Sequence, residues 1–324
     1  MNILFLEDFL IESEMLKDPQ FSLFKDKAPW LHCNPSKIGA IFVKLKFEIN
    51  EDLLKNFPNL KFIISPTTGM DHIDSSYCGK NRIEVITLQP KDVLEIFSTT
   101  EISLWHLINL TRSASLYLES TQNRLWNRYL YNSNSLKFYT VGIVGFGRIG
   151  RQIYSVLKCL GAKTLVYDEN RMETSDLQAN EVAGSIEELF EKCSLVTIHI
   201  SAKEENVGLF SNSLFSRIKS KPFYLVNTSR GNLINEYDLI ENLRSGQVSA
   251  YATDTVQGEY NSQRSIPQSR LLHEYLSGDL PIYITPHIAG ATQDSILFAE
   301  KTVYTEFTKK VAKNYASPNE KVSE

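Results

Sequence analysis

The chain has 324 residues, of which 42% are hydrophobic and 22% are charged, and its formal net charge at pH 7 is −4. A chain of this length and composition can bury the cores of two ordinary domains. The slightly negative charge excludes the broad basic surface that phosphate backbones require, so we expect no nucleic-acid partner.

The sequence carries no sign of export, of membrane insertion or of a metal site. Its first residues, MNILFLEDFL, are largely apolar, but Glu7 and Asp8 interrupt the run and no basic segment precedes it. No run of about 18 apolar residues follows, so we expect no membrane partner. The four cysteines lie far apart and form no CxxC pair, which predicts neither a metal site nor a disulfide framework. We therefore expect a cytoplasmic protein.

Short runs rich in β-branched and aromatic residues alternate with helix-like stretches in the first hundred residues. The runs are NILFL, GAIFVKL, KFIISP and EVITL. This alternation predicts a parallel sheet with intervening helices. Residues 98–113 then form a largely apolar stretch without Gly or Pro, which predicts a buried helix that could join two domains.

A stronger alternation of strands and helices begins near residue 139. Its six predicted strands are YTVGIVG, TLVYD, SLVTIHI, FYLVN, AYATD and PIYIT, and a last helix is expected over about residues 294–314. Six strands separated by helices predict one doubly wound domain.

The segment TVGIVGFGRIG contains a GxGxxG pattern formed by Gly145, Gly147 and Gly150. Gly145 would permit a tight turn, Gly147 would let a pyrophosphate approach the backbone, and Gly150 would let helix and strand pack closely. The pattern alone is weak, and the alternative is a glycine-rich turn that binds nothing. Its position between a predicted strand and a predicted helix favours a dinucleotide site.

Asp168 ends the strand that follows the glycine turn. A carboxylate there would accept hydrogen bonds from both adenosine ribose hydroxyls and would repel a 2′-phosphate, which favours NAD over NADP. The alternative is that Asp168 merely ends a strand.

Polar or ionisable residues also follow later predicted strands of the same sheet, where ligands bind in open α/β folds. They are Arg230 in VNTSRG, Asp254 and Glu259 in YATDTVQGE, and His287 in ITPHIAG. Hydride transfer to a 2-oxo acid needs a cation for the carboxylate, a proton donor for the carbonyl oxygen, and a group that tunes the donor. Arginine, histidine and a carboxylate supply these. Singly, each such residue is more often a surface or structural group.

Together these motifs resemble the D-isomer-specific 2-hydroxyacid dehydrogenases, a family that includes D-3-phosphoglycerate, glycerate and D-lactate dehydrogenases. The resemblance covers most of the chain, and the motifs occur in the family's order: ISPTTGMDHID at residues 64–74, GIVGFGRIG, VNTSRGNLINEYDLIENL, ATD and TPHIAGAT. It implies an oxidoreductase that transfers a hydride between NAD(H) and a small D-2-hydroxy or 2-oxo acid.

The resemblance also implies roles for single residues. Arg230 would hold the substrate carboxylate, Glu259 and His287 would form the pair that transfers the proton, and Asp254 would face the nicotinamide carboxamide. The cofactor contacts implied are Gly145, Gly147, Arg148, Ile149, Gly150, Asp168, Thr228, Ser229, Asp254, His287 and Gly290. The substrate contacts implied are Thr68, Gly69, Met70, Arg230 and Lys44.

The family's architecture is an α/β fold of two Rossmann-like domains with doubly wound parallel sheets. It implies a discontinuous, flavodoxin-like substrate domain made of residues 1–97 and 291–324. An NAD-binding domain of residues 98–290 would be inserted between those segments. Homodimers are usual in the family, so we expect a homodimer.

The sequence departs from the family pattern at two places. Tyr260 stands where proline usually follows the catalytic acid, and His199-Ile200-Ser201 replaces an HxP turn. Neither change removes a chemical group that the reaction needs. Lys44 lies where some phosphate-using relatives carry an arginine, and the alternative is a surface charge after an edge strand.

Two other functions fit part of the pattern. NAD(H)-sensing corepressors of the same fold keep the same arginine, glutamate and histidine, but the short polar tail of this chain favours the enzyme. A different Rossmann enzyme, such as an adenosylhomocysteine hydrolase, fits the glycine turn but not the later order of Arg, Glu and His.

Overall fold

The computed structural model describes residues 1–15, 17–18, 20–25, 34–94, 96–131, 133–218, 222–259 and 267–315. Tyr260, noted above, lies outside the described residues. The contacts divide the chain into two compact units. The first contains the described residues of Met1–Glu95 and Thr292–Glu324, and the second those of Ile96–Glu259 and Ile266–Ala291.

Strands and helices are numbered separately in chain order. The strands are β1 (Asn2–Phe5), β2 (Ser22–Lys25), β3 (Ile38–Phe42), β4 (Phe62–Ile64), β5 (Glu84–Ile86), β6 (Thr140–Val144), β7 (Lys163–Tyr167), β8 (Leu195–Ile198), β9 (Phe223–Asn227), β10 (Val248–Thr253) and β11 (Ile282–Ile284). The helices are α1 (Glu12–Met15), α2 (Glu51–Leu54), α3 (Ser75–Lys80), α4 (Ser98–Arg112), α5 (Ala114–Gln122), α6 (Arg148–Cys159), α7 (Ile186–Lys192), α8 (Asn212–Phe215), α9 (Glu236–Arg244), α10 (Arg270–Ser277) and α11 (Gln293–Tyr315). Among the described residues, no helix is both long enough and apolar enough to span a lipid bilayer.

The first unit contains a five-stranded parallel sheet in the order β2-β1-β3-β4-β5. This is the strand order of flavodoxin-like doubly wound sheets. Helix α11, from the far end of the chain, packs on this sheet, where the buried Phe307 ring lies 5.5 Å from the rings of Phe42 and Phe62. The predicted flavodoxin-like, discontinuous fold is confirmed.

The second unit contains a six-stranded parallel sheet in the order β11-β10-β9-β8-β6-β7. The chain leaves β6 for β7 on one side and then continues with β8 on the other side of β6. Ligands bind in open α/β sheets at such a reversal of strand order, beyond the carboxyl ends of the strands. The predicted Rossmann-like, doubly wound fold is confirmed.

Helices α4 and α6 bury Leu107, Leu110, Ile153 and Leu157 in one apolar cluster of the second unit. A second cluster contains Leu189 of α7 with buried residues of α9. Strands covered on both faces need nearly continuous apolar sequence, which explains why they were the clearest signals in the chain.

Helix α6 follows the glycine turn, as its apolar pattern predicts. It begins at Arg148, with Gly147 in the capping position. Arg148, Ile149 and Gly150 therefore present first-turn backbone N–H groups.

Candidate active site

The residues predicted for the second unit follow the carboxyl ends of its strands. Because all strands run parallel, these residues share one edge of the sheet. The residues directly after strands are Gly145 (β6), Asp168 (β7), Thr228 (β9), Asp254 (β10) and those of the loop after β11 that carries His287 and Gly290.

The glycine turn between β6 and α6 needs two of its glycines for reasons internal to the protein. Gly145 has φ +94°, and a Cβ there would lie 2.6 Å from the carbonyl oxygen of His199. A Cβ on Gly150 would lie 3.0 Å from the carbonyl carbon of Gly145 and closer still to its oxygen. Neither position accepts a side chain without movement of the backbone.

Gly147 is different, because a Cβ added there would meet no atom of the described residues within 4 Å. The capping residue Gly147 gives α6 no side-chain hydrogen bond, so its first-turn N–H groups are not capped from that position beside this open space. A helix N-terminus of this kind binds phosphate oxygens through its N–H groups and its dipole. The site therefore fits the pyrophosphate of a dinucleotide.

Asp168 supports the turn from the neighbouring strand. Its Oδ2 accepts a 2.6 Å hydrogen bond from the Phe146 N–H, and its Oδ1 accepts one of 2.8 Å from the Asn170 N–H. A carboxylate has about four acceptor positions, so ribose hydroxyls can be bound as well. The guanidinium of Arg171 donates to the carbonyl oxygens of Ala183 and Gly184, at 2.8 and 2.6 Å. Because the Arg171 guanidinium is already bound to these two carbonyl oxygens, it is not favoured as a partner for the 2′-phosphate of NADP.

Arg148 and Thr228 already make contacts inside the second unit. Arg148 Nη1 donates to the carbonyl oxygen of Ile96 at 2.7 Å, and burial lowers the pKa of this arginine. The Thr228 and Ser103 hydroxyls lie 2.7 Å apart, and Ser103 Oγ donates to the carbonyl oxygen of Thr99. Thr228 is then the donor to Ser103. Cofactor contacts by Arg148 and Thr228 stay predictions.

The loop after β9 is held by its own polar groups. The Asn227 side chain accepts a hydrogen bond from the Ser229 N–H at 3.0 Å and donates to the Arg230 carbonyl oxygen at 2.8 Å. Gly231 lets this loop approach the chain after β10, since a Cβ there would lie 2.5 Å from the Val256 carbonyl oxygen. The loops that carry Arg230 and Glu259 are therefore in backbone contact.

Glu259 and His287 form the pair that the sequence predicted as a unit. Glu259 Oε2 lies 3.2 Å from His287 Nδ1, and the two side chains are 11% and 23% exposed. A carboxylate on Nδ1 fixes the orientation of the imidazole ring. Nε2 is then the nitrogen that can exchange a proton with a ligand.

Asp254 fixes the backbone on both sides of His287. Its carboxylate accepts hydrogen bonds from the N–H groups of Ile288 at 2.9 Å and Ala289 at 2.7 Å, and its carbonyl oxygen accepts one from His287 at 2.9 Å. His287 has φ +52°, a left-handed conformation that costs a non-glycine residue free energy. Burial raises the pKa of Asp254, whereas hydrogen bonds from Thr285, Ala289 and Ile288 lower it.

Sequence reasoning missed two residues that complete this arrangement. Thr285 Oγ1 donates to Asp254 Oδ1 and lies 3.1 Å from Nε2 of the buried His106. Because the threonine proton goes to the carboxylate, His106 is the donor to Thr285. Burial lowers the pKa of His106 to about 4. No local pattern reveals this contact, since the two residues are 179 positions apart.

The predicted substrate contacts of the first unit form a separate group. Thr68, Gly69 and Met70 lie in the loop after β4, with Thr68 and Met70 exposed. Thr67 Oγ1 donates to the Gly69 carbonyl oxygen at 2.7 Å, and its own carbonyl oxygen accepts the Leu88 N–H at 3.0 Å. This loop therefore has a defined backbone conformation.

Lys44 is already paired within the first unit. Its Nζ lies 2.7 Å from Oε1 of the fully buried Glu300 and donates to the Asp8 carbonyl oxygen at 2.8 Å. Glu300 Oε2 also accepts the Leu10 and Ile11 N–H groups, at 2.7 and 3.1 Å. An anionic substrate would compete with Glu300, which weakens the hypothesis that Lys44 binds a phosphate.

Residues 104–289 match the family model described as "D-isomer specific 2-hydroxyacid dehydrogenase, NAD binding domain". D-3-phosphoglycerate dehydrogenase of Bacillus subtilis is 28% identical over 89% of this chain and 51% of its own length. This chain thus spans about half of that relative. Glyoxylate reductase of Thermofilum pendens is 29% identical over 78% of this chain and 72% of its own.

The fold is also that of solved structures. D-lactate dehydrogenase from Aquifex aeolicus, complexed with NAD and lactic acid, aligns with a TM-score of 0.80 over 98% of both chains, at 23% identity. At this identity the likeness shows the fold alone. The family match is to an NAD-binding domain, and the predicted cofactor is confirmed as NAD.

Proposed function

Because the chain belongs to the D-isomer-specific 2-hydroxyacid dehydrogenase family, we propose that it is an NAD-dependent oxidoreductase acting between a small D-2-hydroxy acid and its 2-oxo acid. The observation that carries this proposal is the Glu259–His287 pair, 3.2 Å apart, at the sheet edge that holds the glycine turn. The relatives reported above are named as dehydrogenases and a reductase, which favours the enzyme over a corepressor.

Each of the three ionisable residues has one task. NAD, when bound, supplies or takes up the hydride at C2. Arg230 binds the substrate carboxylate, since a guanidinium presents two parallel N–H donors. In the reducing direction, Nε2 of His287 gives its proton to the carbonyl oxygen, and Glu259 stabilises the imidazolium before that transfer. In the oxidising direction Nε2 takes the hydroxyl proton.

The two units would divide binding between them. We assign NAD to residues 98–290 and much of the substrate to residues 1–97 and 291–324. In this assignment the backbone amides of Gly69 and Met70 bind the substrate carboxylate, with Thr68 beside them. The fixed conformation of the loop after β4 supports this role, because ordered amides bind an anion without paying for ordering on binding.

The experiment that tests the reaction is a panel of 2-oxo acids with NADH. Oxidation of NADH would be followed with glyoxylate, hydroxypyruvate, pyruvate and phosphohydroxypyruvate. We expect turnover with at least one. No turnover with any of them, while NADH still binds, would refute the enzyme.

A pair of histidine variants tests the proton donor. We expect His287→Ala to lower kcat by about 10² or more, because general acid catalysis typically contributes that factor. Its NADH affinity should stay close to that of the wild type. The matched control is His273→Ala, at an exposed position on α10, which should change neither quantity. An unchanged kcat in His287→Ala would exclude the assigned role.

We also propose that the chain forms a homodimer in the cytoplasm. Large apolar side chains are exposed on and after α4 and α5, and a second copy would cover them. They are Trp105, Leu118, Trp126, Tyr129 and Phe138, with exposures of 43%, 66%, 92%, 83% and 73%. Sedimentation should show a dimer that Trp126→Asp with Phe138→Asp dissociates, whereas Leu276→Asp on α10 should not. The cytoplasmic location is supported by the thiol of Cys78, which is buried and forms no disulfide with another described cysteine.

A further inference from the structure

Glu236 is a buried carboxylate to which the proposed reaction gives no task. It is the first residue of α9 and only 4% of it is exposed. Its Oε1 accepts hydrogen bonds from the Gln257 N–H at 3.1 Å and the Ser269 hydroxyl at 2.7 Å. Its Oε2 accepts one from the Leu271 N–H at 3.1 Å.

These donors come from two described parts of the chain. Gln257 lies two residues before Glu259, and Ser269 and Leu271 lie where α10 begins. The Gln257 side chain adds a 2.7 Å hydrogen bond from Nε2 to the Ile234 carbonyl oxygen, just before α9. One carboxylate therefore ties the start of α9 to the backbone just before Glu259 and to the start of α10.

A carboxylate suits this position better than a neutral side chain. It lies in the first turn of α9 and accepts an N–H from the first turn of α10, so two helix N-termini favour its negative charge. Three hydrogen bonds offset the cost of burying the charge. A glutamine has an NH2 group in place of one carboxylate oxygen. That group cannot accept a hydrogen bond, so it would face one of the donors without bonding to it.

We propose that Glu236 is a positioning residue, which holds Glu259 beside Nδ1 of His287. It touches neither Glu259 nor His287 in the hydrogen bonds described, and acts through the backbone at Gln257. The proposal rests on the proposed function, because it assigns Glu236 to the same proton-transfer pair.

The test compares Glu236→Gln with Asp238→Asn. Both variants remove one carboxylate from the first turn of α9, but Asp238 binds the backbone and side-chain N–H groups of Asn212, away from Glu259. In Glu236→Gln we expect kcat to fall about tenfold to a hundredfold, since small misplacements of catalytic groups have effects of that size. NADH affinity should remain within about twofold of the wild type, and Asp238→Asn should keep full kcat.

The split between kcat and KM separates positioning from a general loss of stability. If Glu259 moves away from Nδ1 of His287, the proton donor is misplaced in every folded molecule, so kcat should fall while KM for the 2-oxo acid stays within about twofold of the wild type. A loss of activity that comes entirely from a higher KM would overturn the proposal.

A double-mutant cycle gives an independent decision. If Glu236 acts through Glu259, Glu236→Gln should have almost no further effect on kcat in a Glu259→Gln background. Effects that multiply would overturn the proposal. If Glu236→Gln does not fold, Glu236→Asp replaces it, because aspartate keeps the charge but its shorter side chain withdraws the carboxylate from Gln257, and the same fall in kcat is expected.

Amide hydrogen exchange distinguishes failure of this proposal from failure of the proposed function. Glu236→Gln should raise exchange in peptides covering residues 254–259 and 267–272 at least tenfold, whereas Asp238→Asn should not. That result would support the positioning contact even if no 2-oxo acid is reduced. Unchanged exchange in both peptides would overturn it, whatever the activity.

Discussion

Alanine substitutions at two glycines of the turn between β6 and α6 should affect two different properties: stability at Gly150 and NADH affinity at Gly147. In Gly150→Ala the new Cβ would lie 3.0 Å from the Gly145 carbonyl carbon and 3.4 Å from Ile143 Cγ2. The first is backbone and cannot rotate away, so α6 must shift from β6. Overpacking of this kind costs about 1–3 kcal/mol. For a domain of this size that corresponds to a fall in Tm of about 2–12 °C.

Gly147→Ala is the matched control. Its Cβ would meet nothing within 4 Å, and its φ of −71° is ordinary for alanine. We expect Tm to stay level or to rise slightly, because alanine has less conformational entropy to lose on folding. The added methyl group would instead occupy the space that a pyrophosphate needs, so NADH affinity should fall about tenfold or more.

Differential scanning calorimetry and NADH fluorescence titration measure both variants. We expect Gly150→Ala to lose stability, and Gly147→Ala to lose affinity for NADH while it keeps its stability. If Gly147→Ala bound NADH like the wild type, the assignment of the open space to the cofactor would be refuted. Equal losses of Tm in the two variants would refute the steric reasoning.

Three further predictions follow from charged and titratable groups. Asp168→Asn should weaken NADH binding about tenfold to a hundredfold by removing a charged acceptor, and the ratio of NADH to NADPH dissociation constants checks this. Glu300→Gln should lower the free energy of unfolding by about 3 kcal/mol, because it leaves the Lys44 ammonium without its buried partner. The midpoint of urea unfolding measures that loss. Burial lowers the pKa of His106 from 6.5 to about 4 in the folded state, so the unfolded chain binds the proton first as pH falls. The folded state is therefore most stable above about pH 6.5, and the free energy of unfolding decreases below that pH. Between about pH 7 and about pH 5 the loss should be about 2 kcal/mol, and His106→Gln should reduce the pH dependence of unfolding by that amount.

Much of the fold follows from the sequence because the strands of parallel sheets are apolar on both faces. All six strands of the second unit, and β1, β3, β4 and β5 of the first, were predicted. Strand β2 (Ser22–Lys25) was missed because it is a short edge strand without a continuous apolar run. Helix α5 was missed as well, since its sequence has no clear apolar period. Helix α10 has an apolar face but only eight residues, which is short for a helix to be recognised by periodicity.

The site was predictable where the chemistry lies in a side chain at the end of a strand. The pairing of Glu259 with His287 was expected, and the structure places those groups 3.2 Å apart. The groups that hold them were not predictable. Glu236 and Leu271 are 35 positions apart, and no local pattern indicates that a buried carboxylate joins them. Such contacts depend on which loops lie side by side in the folded chain, and the periodicity of apolar residues along the sequence does not predict that.

The left-handed backbone of His287 has a consequence for engineering this chain. Asparagine and glycine adopt a φ near +52° more readily than histidine does. A screen that selects for thermal stability alone would therefore favour those residues at position 287, and each hit would lose the proton donor that we propose. Stabilised variants of this chain should be sought with residue 287 held constant, because there the demands of folding and of turnover oppose each other.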